Sequence, residues 1–215
     1  GVEPTRFTVA MPALAWPTLG LVAVLAVGCA LVSILFCRGL HITEHLAARV
    51  LKEPFLRAAA GGCVIVAATL LLGTTDYNGA GMDVVARALS GQADPWAWLL
   101  KLAFTAVTIG SGFKGGEVVP TFFIGATLGC VLGGLLGIPA GFAAALGLVC
   151  VFCGAVNCPI ASIVLSIELF GAGQLVYFAL ACGIAYMLSG YFGLYSSQKI
   201  LYSKLRTEFI NIHAK

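Results

Sequence analysis

Residues 110–120 read Gly-Ser-Gly-Phe-Lys-Gly-Gly-Glu-Val-Val-Pro and combine a glycine-rich turn, two opposite charges and a proline ahead of an apolar run. Glycines followed by Pro120 and an apolar segment are typical of a helix N-terminus. The first N–H groups of a helix have no partner inside it and its dipole is positive at that end, so the position favours an anion. The chemistry predicted for this stretch is anion binding, with the acidic residue Glu117 placed where an anion would bind.

Glu117 admits two interpretations. As an ionised carboxylate it would gain about 0.3–1 kcal/mol from the helix dipole. As a carboxyl group removed from water it would instead keep a proton, because burial disfavours the charged form. Ionisable residues inside a membrane are functional by default. We therefore favour a proton-carrying role for Glu117, in which the neutral acid donates a hydrogen bond to the anion.

The surrounding chain has the composition of an integral membrane protein. Of its 215 residues, 60% are hydrophobic and 10% are charged, whereas soluble domains carry about 25% charged residues. Charged residues are absent from Phe7 to Cys37, from Ala58 to Thr75 and from Leu169 to Gln198. Runs of this length suit bilayer-spanning helices of about 20 residues. We predict an all-α integral membrane protein with a single transmembrane domain over residues 1–215.

The few charges are unevenly distributed. A net charge of +3 gives no indication of nucleic-acid binding. Basic residues gather in a loop region over residues 38–57 and again at the C-terminus, and the positive-inside tendency places both in the cytoplasm. The members of the two groups are Arg38, Arg49, Lys52 and Arg57, then Lys199, Lys204, Arg206 and Lys215.

Apolar periodicity, prolines and glycines predict the order of the elements. After an irregular start over residues 1–15, containing Pro4 and Pro12, helices are expected at 16–49, 55–72, 82–89, 95–109, 120–138, 140–154, 160–170 and 175–190, with a polar helix after Gln198. Several of these are too short to span a bilayer. Broken helices are tolerated where they line a cavity, and they indicate a transporter-like binding site.

Other patterns favour packing over chemistry. Gly125, Gly129, Gly133 and Gly137 form a ladder of small residues that lets another helix approach closely. Cys150-x-x-Cys153 and the pair His41 and His45 could each begin a metal site, but neither has further ligands nearby. We expect the cysteines to pack, the histidines to be solvated or interfacial, and Glu168 to be a structural hydrogen-bonded group. No metal or cofactor is predicted, and the sequence shows no nucleophile–base set or phosphate loop of an enzyme.

The sequence resembles one family at several points. Residues 115–120, followed by Phe-Phe-Ile-Gly-Ala-Thr-Leu-Gly over 122–129, resemble the second-half signature of the CLC chloride channels and transporters, Gly-Gly-x-Phe-x-Pro before a Gly-spaced apolar helix. Residues 194–196 match the segment with the family's central tyrosine, and residues 155–168 are similar to its short helix ending in Glu. Glu117 before Val118 is similar to the fluoride/proton antiporter branch, Gly-Phe-Lys-Gly-Gly-Glu-Val-x-Pro.

The resemblance implies a CLC-type inverted-repeat fold with broken and re-entrant helices, of which this chain is the second repeat. The first-half motifs have no counterpart here, so the chain resembles half a subunit. The implied anion ligands are the amides of Glu117, Val118 and Val119 and the hydroxyl of Tyr195, with Glu117 coupling protons. Tyr195 could alternatively be an interfacial aromatic residue. Lys114 would either attract anions at the inner mouth or extend to the interface.

The function expected from the resemblance is part of an anion transporter, with fluoride/proton antiport exporting fluoride as the first choice. Chloride or another anion is the alternative substrate, and a non-transporting membrane fragment or assembly partner is the alternative role. The implied partners are a halide anion, protons, lipid, and a first-half polypeptide or same-family subunit in a dimeric assembly. Two copies with opposite topology could also pair, but the basic-loop bias argues against this. The expected location is a multi-pass cell membrane position, in the bacterial inner membrane.

Overall fold

The structure, a computed structural model, describes residues 7–214 and consists over that range of helices followed by one hairpin. Gly1–Arg6, including Pro4 of the predicted irregular start, and Lys215 of the C-terminal basic group lie outside the described residues. Helices are found in all eight regions predicted before Gln198. The elements are α1 Trp16–Val50, α2 Pro54–Leu72, α3 Met82–Leu89, α4 Ala97–Gly110, α5 Val118–Leu136, α6 Ala140–Val156, α7 Pro159–Phe170, α8 Leu175–Leu188, β1 Lys199–Tyr202 and β2 Phe209–His213.

Prolines set several helix starts. The first helix, predicted to end at residue 49, ends at Val50, and Pro54 begins α2 one residue before its predicted start. Pro120 lies in the third position of α5, which therefore starts two residues earlier than predicted, at Val118. Proline is tolerated in the first helical turn because its missing N–H would have no partner there. Among the described helices, α1, α2 and α5 are long and apolar enough to cross a membrane.

The centre of the fold is the close packing of α5 on α6, with α1 lying against α6 and α8. A Cβ atom on Gly125 would overlap the Gly147 carbonyl of α6, and one on Gly129 would overlap the Ala143 carbonyl. Gly133 faces the Ala143 side chain at similarly close range. The predicted small-residue ladder is confirmed for these three glycines. Gly137 instead ends α5 in a left-handed conformation with φ of 71°.

The apolar helix α4 carries one buried cation. Lys101 is 2% exposed, and its Nζ donates to the carbonyl oxygens of Tyr77 at 3.1 Å and Gly79 at 2.6 Å. The same Nζ lies 4.9 Å from the ring centroid of Phe123 on α5. Lys101 therefore joins α4 to α5 and to the loop before α3. The only signal for it in the sequence is a single charged residue within an apolar run.

The predicted polar helix after Gln198 is wrong. β1 and β2 pair as antiparallel strands with Ile200 opposite Ile212, and Tyr202 packs edge-on against Phe209 with ring centroids 5.5 Å apart. β-Branched and aromatic residues on both sides of a polar turn favour strands, and this preference outweighed the polarity that suggested a helix.

The turn between the two strands reaches back to the helices. Lys204 Nζ donates to the Tyr186 carbonyl at 2.8 Å, to Ser189 Oγ at 3.1 Å and to Asn157 Oδ1. It also lies 4.2 Å from the centroid of the Tyr186 ring. The hairpin is thereby anchored to the ends of α6 and α8.

Replacing Gly129 with Ala should destabilise the protein by about 1–3 kcal/mol, because the new methyl group would force α5 away from the α6 backbone. The measurement is thermal unfolding in detergent. Gly134→Ala is the matched control, since a Cβ at Gly134 meets nothing within 4 Å, and it should leave stability unchanged or slightly higher. Equal effects of the two substitutions would contradict the close contact of α5 with α6.

Replacing Lys101 with Met should lower the free energy of unfolding by about 2–3 kcal/mol, because it removes two charge-assisted hydrogen bonds and leaves two carbonyl groups unpaired. Limited proteolysis of the loop before α3, together with thermal unfolding, would report this loss. Lys52→Met changes an exposed lysine and should alter neither. A stable Lys101→Met protein with a protected loop would show that Lys101 does not anchor it.

Candidate anion and proton site

The loop between α4 and α5 is ordered by hydrogen bonds to the end of α4. The N–H groups of Ser111 and Gly112 donate to the carbonyls of Val107 and Ile109, each at 2.9 Å. Gly112 has φ of 95°, a left-handed conformation that glycine adopts without strain. Residues 112–116 are exposed. The glycine-rich turn predicted from the sequence is therefore an exposed loop leading directly to the start of α5.

Two neighbouring helices hold this loop in place. A Cβ on Gly61 of α2 would overlap the Ser111 side chain, so the backbone of α2 is in direct contact with the loop. Gly110 meets Thr43 of α1 in the same way, with Thr43 Cγ2 2.6 Å from where a Cβ would lie. The guanidinium of Arg57 reaches Gly112, with Nη2 3.4 Å from the corresponding Cβ position. The absence of a side chain at Gly61 thus lets α2 approach this loop closely.

The start of α5 presents open donors. Glu117 occupies the N-cap position, but its side chain does not cap the helix. Within the described chain, no hydrogen bond outside the helices uses the N–H of Val118 or Val119. Pro120 has no N–H, and the Thr121 hydroxyl donates to the Val118 carbonyl at 2.6 Å. The backbone amides predicted as anion donors are therefore placed together at one helix terminus.

The carboxyl group of Glu117 is only partly accessible. Glu117 is half-buried, and its Oε2 is buried without a hydrogen-bond partner among the described residues. A buried oxygen without a partner is costly, which makes Glu117 a candidate for exchanging a ligand or a proton.

Tyr195 lies in a separate segment. That segment is held by the Leu194 N–H, which donates to the Ala155 carbonyl at 2.9 Å, and by Asn157 Nδ2, which donates to the Phe192 carbonyl at 2.8 Å. The Tyr195 side chain is 42% exposed. No hydrogen bond of the described residues joins it to residues 117–119.

Helix α1 contacts both segments. His41 Nε2 lies 3.2 Å from the Gly193 carbonyl oxygen, two residues before Tyr195, and Thr43 contacts Gly110 ahead of the loop that leads to α5. The structure therefore brings Glu117, Val118 and Val119 together at one helix start, and α1 lies between that part of the chain and the Tyr195 segment.

Two further residues singled out in the sequence stand apart from this arrangement. Lys114 is exposed, and no ion pair or side-chain hydrogen bond involves it in the described part of the chain. Glu168 is exposed near the end of α7. The structural hydrogen bond expected of Glu168 is not among those of the described residues.

A cavity of about 500 Å³ lies beside the start of α5. One wall consists of Gly115, Gly116, Val119 and Pro120, and the other of α4 with the loop before α3. The α4 hydroxyls in this wall belong to Thr105 and Thr108, which donate to carbonyls of their own helix. The cavity is mainly apolar, and its polar lining includes Asn78 and Lys101 as well as the backbone of the glycine-rich loop.

Sequence reasoning missed several residues at the site. Arg57 was assigned only to a basic loop, and His41 was expected to be solvated or interfacial, whereas it is half-buried and bonded to the Tyr195 segment. Lys101 was not singled out. The partners of these side chains are distant along the chain, so local spacing carried little signal for them.

Comparisons with known proteins agree with this fold. A family model described as voltage gated chloride channel matches residues 2–190. The chloride/fluoride channel protein of Pseudomonas syringae pv. tomato (strain ATCC BAA-871 / DC3000) is 38% identical over 212 residues, which cover 95% of this chain and 47% of the relative. A crystal structure of a CLC-type fluoride/proton antiporter matches with a TM-score of 0.83 and 33% identity, covering 88% of this chain and 49% of that chain.

The chain thus spans about half the length of the relatives it matches. The mainly helical CLC-type membrane fold expected from the motifs is confirmed by the structural match, with the C-terminal hairpin as the departure from an all-α chain. Because the family model matches most of the chain and the fold is shared, the chain belongs to the CLC family of voltage-gated chloride channels and transporters.

Proposed function

We propose that this chain is part of a fluoride/proton antiporter that exports fluoride across a cell membrane. The observation that carries the proposal is Glu117, a carboxyl group with one buried oxygen lacking a partner, at a helix start whose amides are open. The similarity to a solved fluoride/proton antiporter supports the same choice. No enzymatic activity is part of the proposal.

Backbone amides suit fluoride because the ion is small and strongly hydrated, so close donors must replace its water. The N–H groups of Val118 and Val119 at the positive end of α5 could do this without a free cation in the membrane. Lys101, the buried cation of α4, is already engaged by two carbonyl groups, whereas Arg57, which lies against Gly112, has a buried Nε without a hydrogen-bond partner among the described residues. The Tyr195 hydroxyl could add a donor once the remaining half of the pathway is present, and the exposed Lys114 could attract anions toward the inner mouth.

Glu117 would couple the anion to the proton. In its ionised form, the carboxylate competes with fluoride for the positive end of α5. In its protonated form, the carboxylic acid loses that charge and gains an O–H that can donate to fluoride. Protonation of Glu117 therefore frees the positive end of α5 for fluoride, so that occupancy of the anion site depends on the proton of Glu117.

The proposed partners follow from the length of the chain and from its surface. Because the chain spans about half of its relatives, we infer that a first-half polypeptide or same-family subunit completes the pathway, within a dimeric assembly. Apolar side chains such as Leu31, 62% exposed, and Leu71, 88% exposed, would contact lipid or that partner. The proposed location is the bacterial inner membrane, with several crossings.

Chloride or another anion is the second candidate substrate. The family model and the Pseudomonas relative both carry chloride in their descriptions, and an open helix start alone does not select between halides. A non-transporting fragment or assembly partner is the remaining alternative, and it is favoured only by the half-length of the chain.

Glu117→Gln should reduce proton-coupled fluoride flux by about 100-fold or more, because glutamine keeps the shape of the side chain but transfers no proton. The measurement is fluoride efflux with proton uptake in proteoliposomes. The protein would be this chain joined to the N-terminal half of the Pseudomonas relative, with this chain alone in parallel. Glu168→Gln, a change at an exposed carboxylate, is the matched control and should leave flux unchanged.

The outcomes separate the candidates. Unchanged coupling in the Glu117→Gln protein would contradict the proton role of Glu117. Chloride flux without preference for fluoride would favour the second substrate. An absence of flux above protein-free vesicles, both with and without the N-terminal half, would favour the non-transporting alternative.

A further inference from the structure

The Tyr195 segment, residues 192–198, is held to the end of α6 at both of its own ends. Near its start, the Phe192 carbonyl accepts a hydrogen bond from Asn157 Nδ2 at 2.8 Å. At its end, Gln198 Nε2 donates to the last carbonyl of α6 at 3.2 Å. Between these anchors, the Tyr195 side chain is exposed and makes no hydrogen bond among the described residues. The position of its hydroxyl therefore depends on how firmly the segment is held.

The side-chain amide of Asn157 connects this segment to the hairpin. Its Nδ2 donates to Phe192, and its Oδ1 accepts from Lys204 Nζ in the turn between β1 and β2. The Phe192 carbonyl can only accept and the Lys204 ammonium can only donate, so the two bonds determine which way the amide faces. Asn157 ends α6 with φ of 58°, a left-handed conformation that asparagine tolerates. One amide thus bonds the segment with its nitrogen and the hairpin with its oxygen.

Lys204 lies where two helices end. Its Nζ donates to the Tyr186 carbonyl in the last turn of α8 at 2.8 Å, and to the hydroxyl of Ser189, the residue that caps α8, at 3.1 Å. Asn157 is the corresponding cap of α6. The C-terminal end of a helix carries partial negative charge, so an ammonium group between two such ends is stabilised by both. The cation of Lys204 therefore fixes the Asn157 amide at the ends of α6 and α8.

The Tyr195 segment also approaches Asn157 closely at Gly193. A Cβ atom on Gly193 would lie 2.9 Å from Asn157 Nδ2 and 3.2 Å from the Cβ of Ala214. The next residue, Leu194, is buried, and its N–H donates to a carbonyl of α6 at 2.9 Å. The three residues that follow, beginning with Tyr195, are exposed. The segment is thus packed against α6 up to the residue before the tyrosine.

We propose that Asn157 is a positioning residue for Tyr195, holding the segment that carries the tyrosine hydroxyl against α6 while Lys204 holds the Asn157 amide. This proposal rests on the proposed transport function, in which that hydroxyl donates to the anion. A held segment restricts the hydroxyl to few positions, so that little conformational freedom is lost when an anion binds. A released segment must be ordered at each binding event, and the anion is then bound more weakly. The hairpin acquires a role as the support of this amide.

Asn157→Asp tests the two sides of the amide separately. Aspartate keeps an oxygen for Lys204, but it replaces the Nδ2 donor with an oxygen that faces the Phe192 carbonyl. The measurement is hydrogen–deuterium exchange of this chain in detergent, followed by mass spectrometry. Amides of residues 192–198 should exchange at least about tenfold faster in the variant, because the segment opens more often. Amides of the hairpin should keep the wild-type rate, and unchanged exchange over residues 192–198 would overturn the proposal.

Asn211→Asp is the matched control for this substitution. Among the described residues, Asn211 is the other residue besides glycine with a left-handed backbone, with φ of 40°. It is exposed on β2, and its side chain makes no hydrogen bond in the described part of the chain. The substitution adds the same charge and should leave exchange of the Tyr195 segment unchanged. Equal acceleration by both substitutions would overturn the role of the Asn157 amide.

Lys204→Met tests the cation that holds this amide. Methionine is of similar length but donates no hydrogen bond, so the hairpin and the Tyr195 segment should both exchange at least about tenfold faster. Lys199→Met changes an exposed lysine of the same hairpin and should accelerate neither. Faster exchange of the hairpin alone, with the Tyr195 segment still protected, would overturn the role of Lys204.

A transport measurement separates positioning from a general loss of structure. In this chain joined to the N-terminal half of the Pseudomonas relative, Asn157→Asp should raise the fluoride concentration for half-maximal flux at least about fivefold and leave the maximal flux within about twofold. An unchanged half-saturating concentration, despite faster exchange of the segment, would overturn the positioning of Tyr195 for the anion. If the wild-type joined protein carries no fluoride while Asn157→Asp still loosens the segment, the transport function is wrong and Asn157 still holds the segment.

Discussion

Backbone polar groups inside a membrane must find partners, because lipid supplies none. The start of α5 leaves the N–H groups of Val118 and Val119 open, so this terminus is stable only beside water, an anion or another protein segment. The surrounding structure holds the terminus at a fixed place. The glycines of α5 keep it against the backbone of α6, while Gly61 of α2 and Thr43 of α1 bracket the preceding loop. The close packing of α5 on α6 therefore keeps the open N–H groups of Val118 and Val119 at a fixed position, because looser packing would let the start of α5 move.

Two cations differ in how far they are engaged near this terminus. Lys101 donates to two carbonyl groups. Arg57 lies against Gly112 in the preceding loop, and its buried Nε has no hydrogen-bond partner among the described residues. An anion at the start of α5 would therefore be stabilised by the helix amides, with Arg57 as the cation available beside the loop. The charge that changes at such a site is that of Glu117, which can be present or absent according to its proton.

The helices and the helix-start motif could be predicted from the sequence because both depend on local pattern. Periodicity and the placement of proline and glycine located α1 to α8 to within a few residues, and the glycine ladder indicated the α5–α6 contact. The C-terminal hairpin was missed because its polar turn suggested a helix, whereas pairing of Ile200 with Ile212 depends on residues that the turn brings together. Lys101 and His41 were missed for a related reason. Their partners, Gly79 and Gly193, lie 22 and 152 residues away along the chain, and no local spacing reports such contacts.

The first helix links the two halves of the site. Its apolar portion packs against α6 and α8, which fixes the orientation of its polar portion, where Thr43 contacts Gly110 ahead of the loop that leads to α5. The same polar portion holds the Tyr195 segment through the Gly193 carbonyl. Since Glu117 and Tyr195 lie in segments about 80 residues apart with no direct hydrogen bond between them, α1 determines their relative position. A displacement of the Tyr195 segment would act on α1 at His41, two residues from the contact of Thr43 with Gly110. The positions of the open amides and of the Tyr195 segment would then depend on the same stretch of α1.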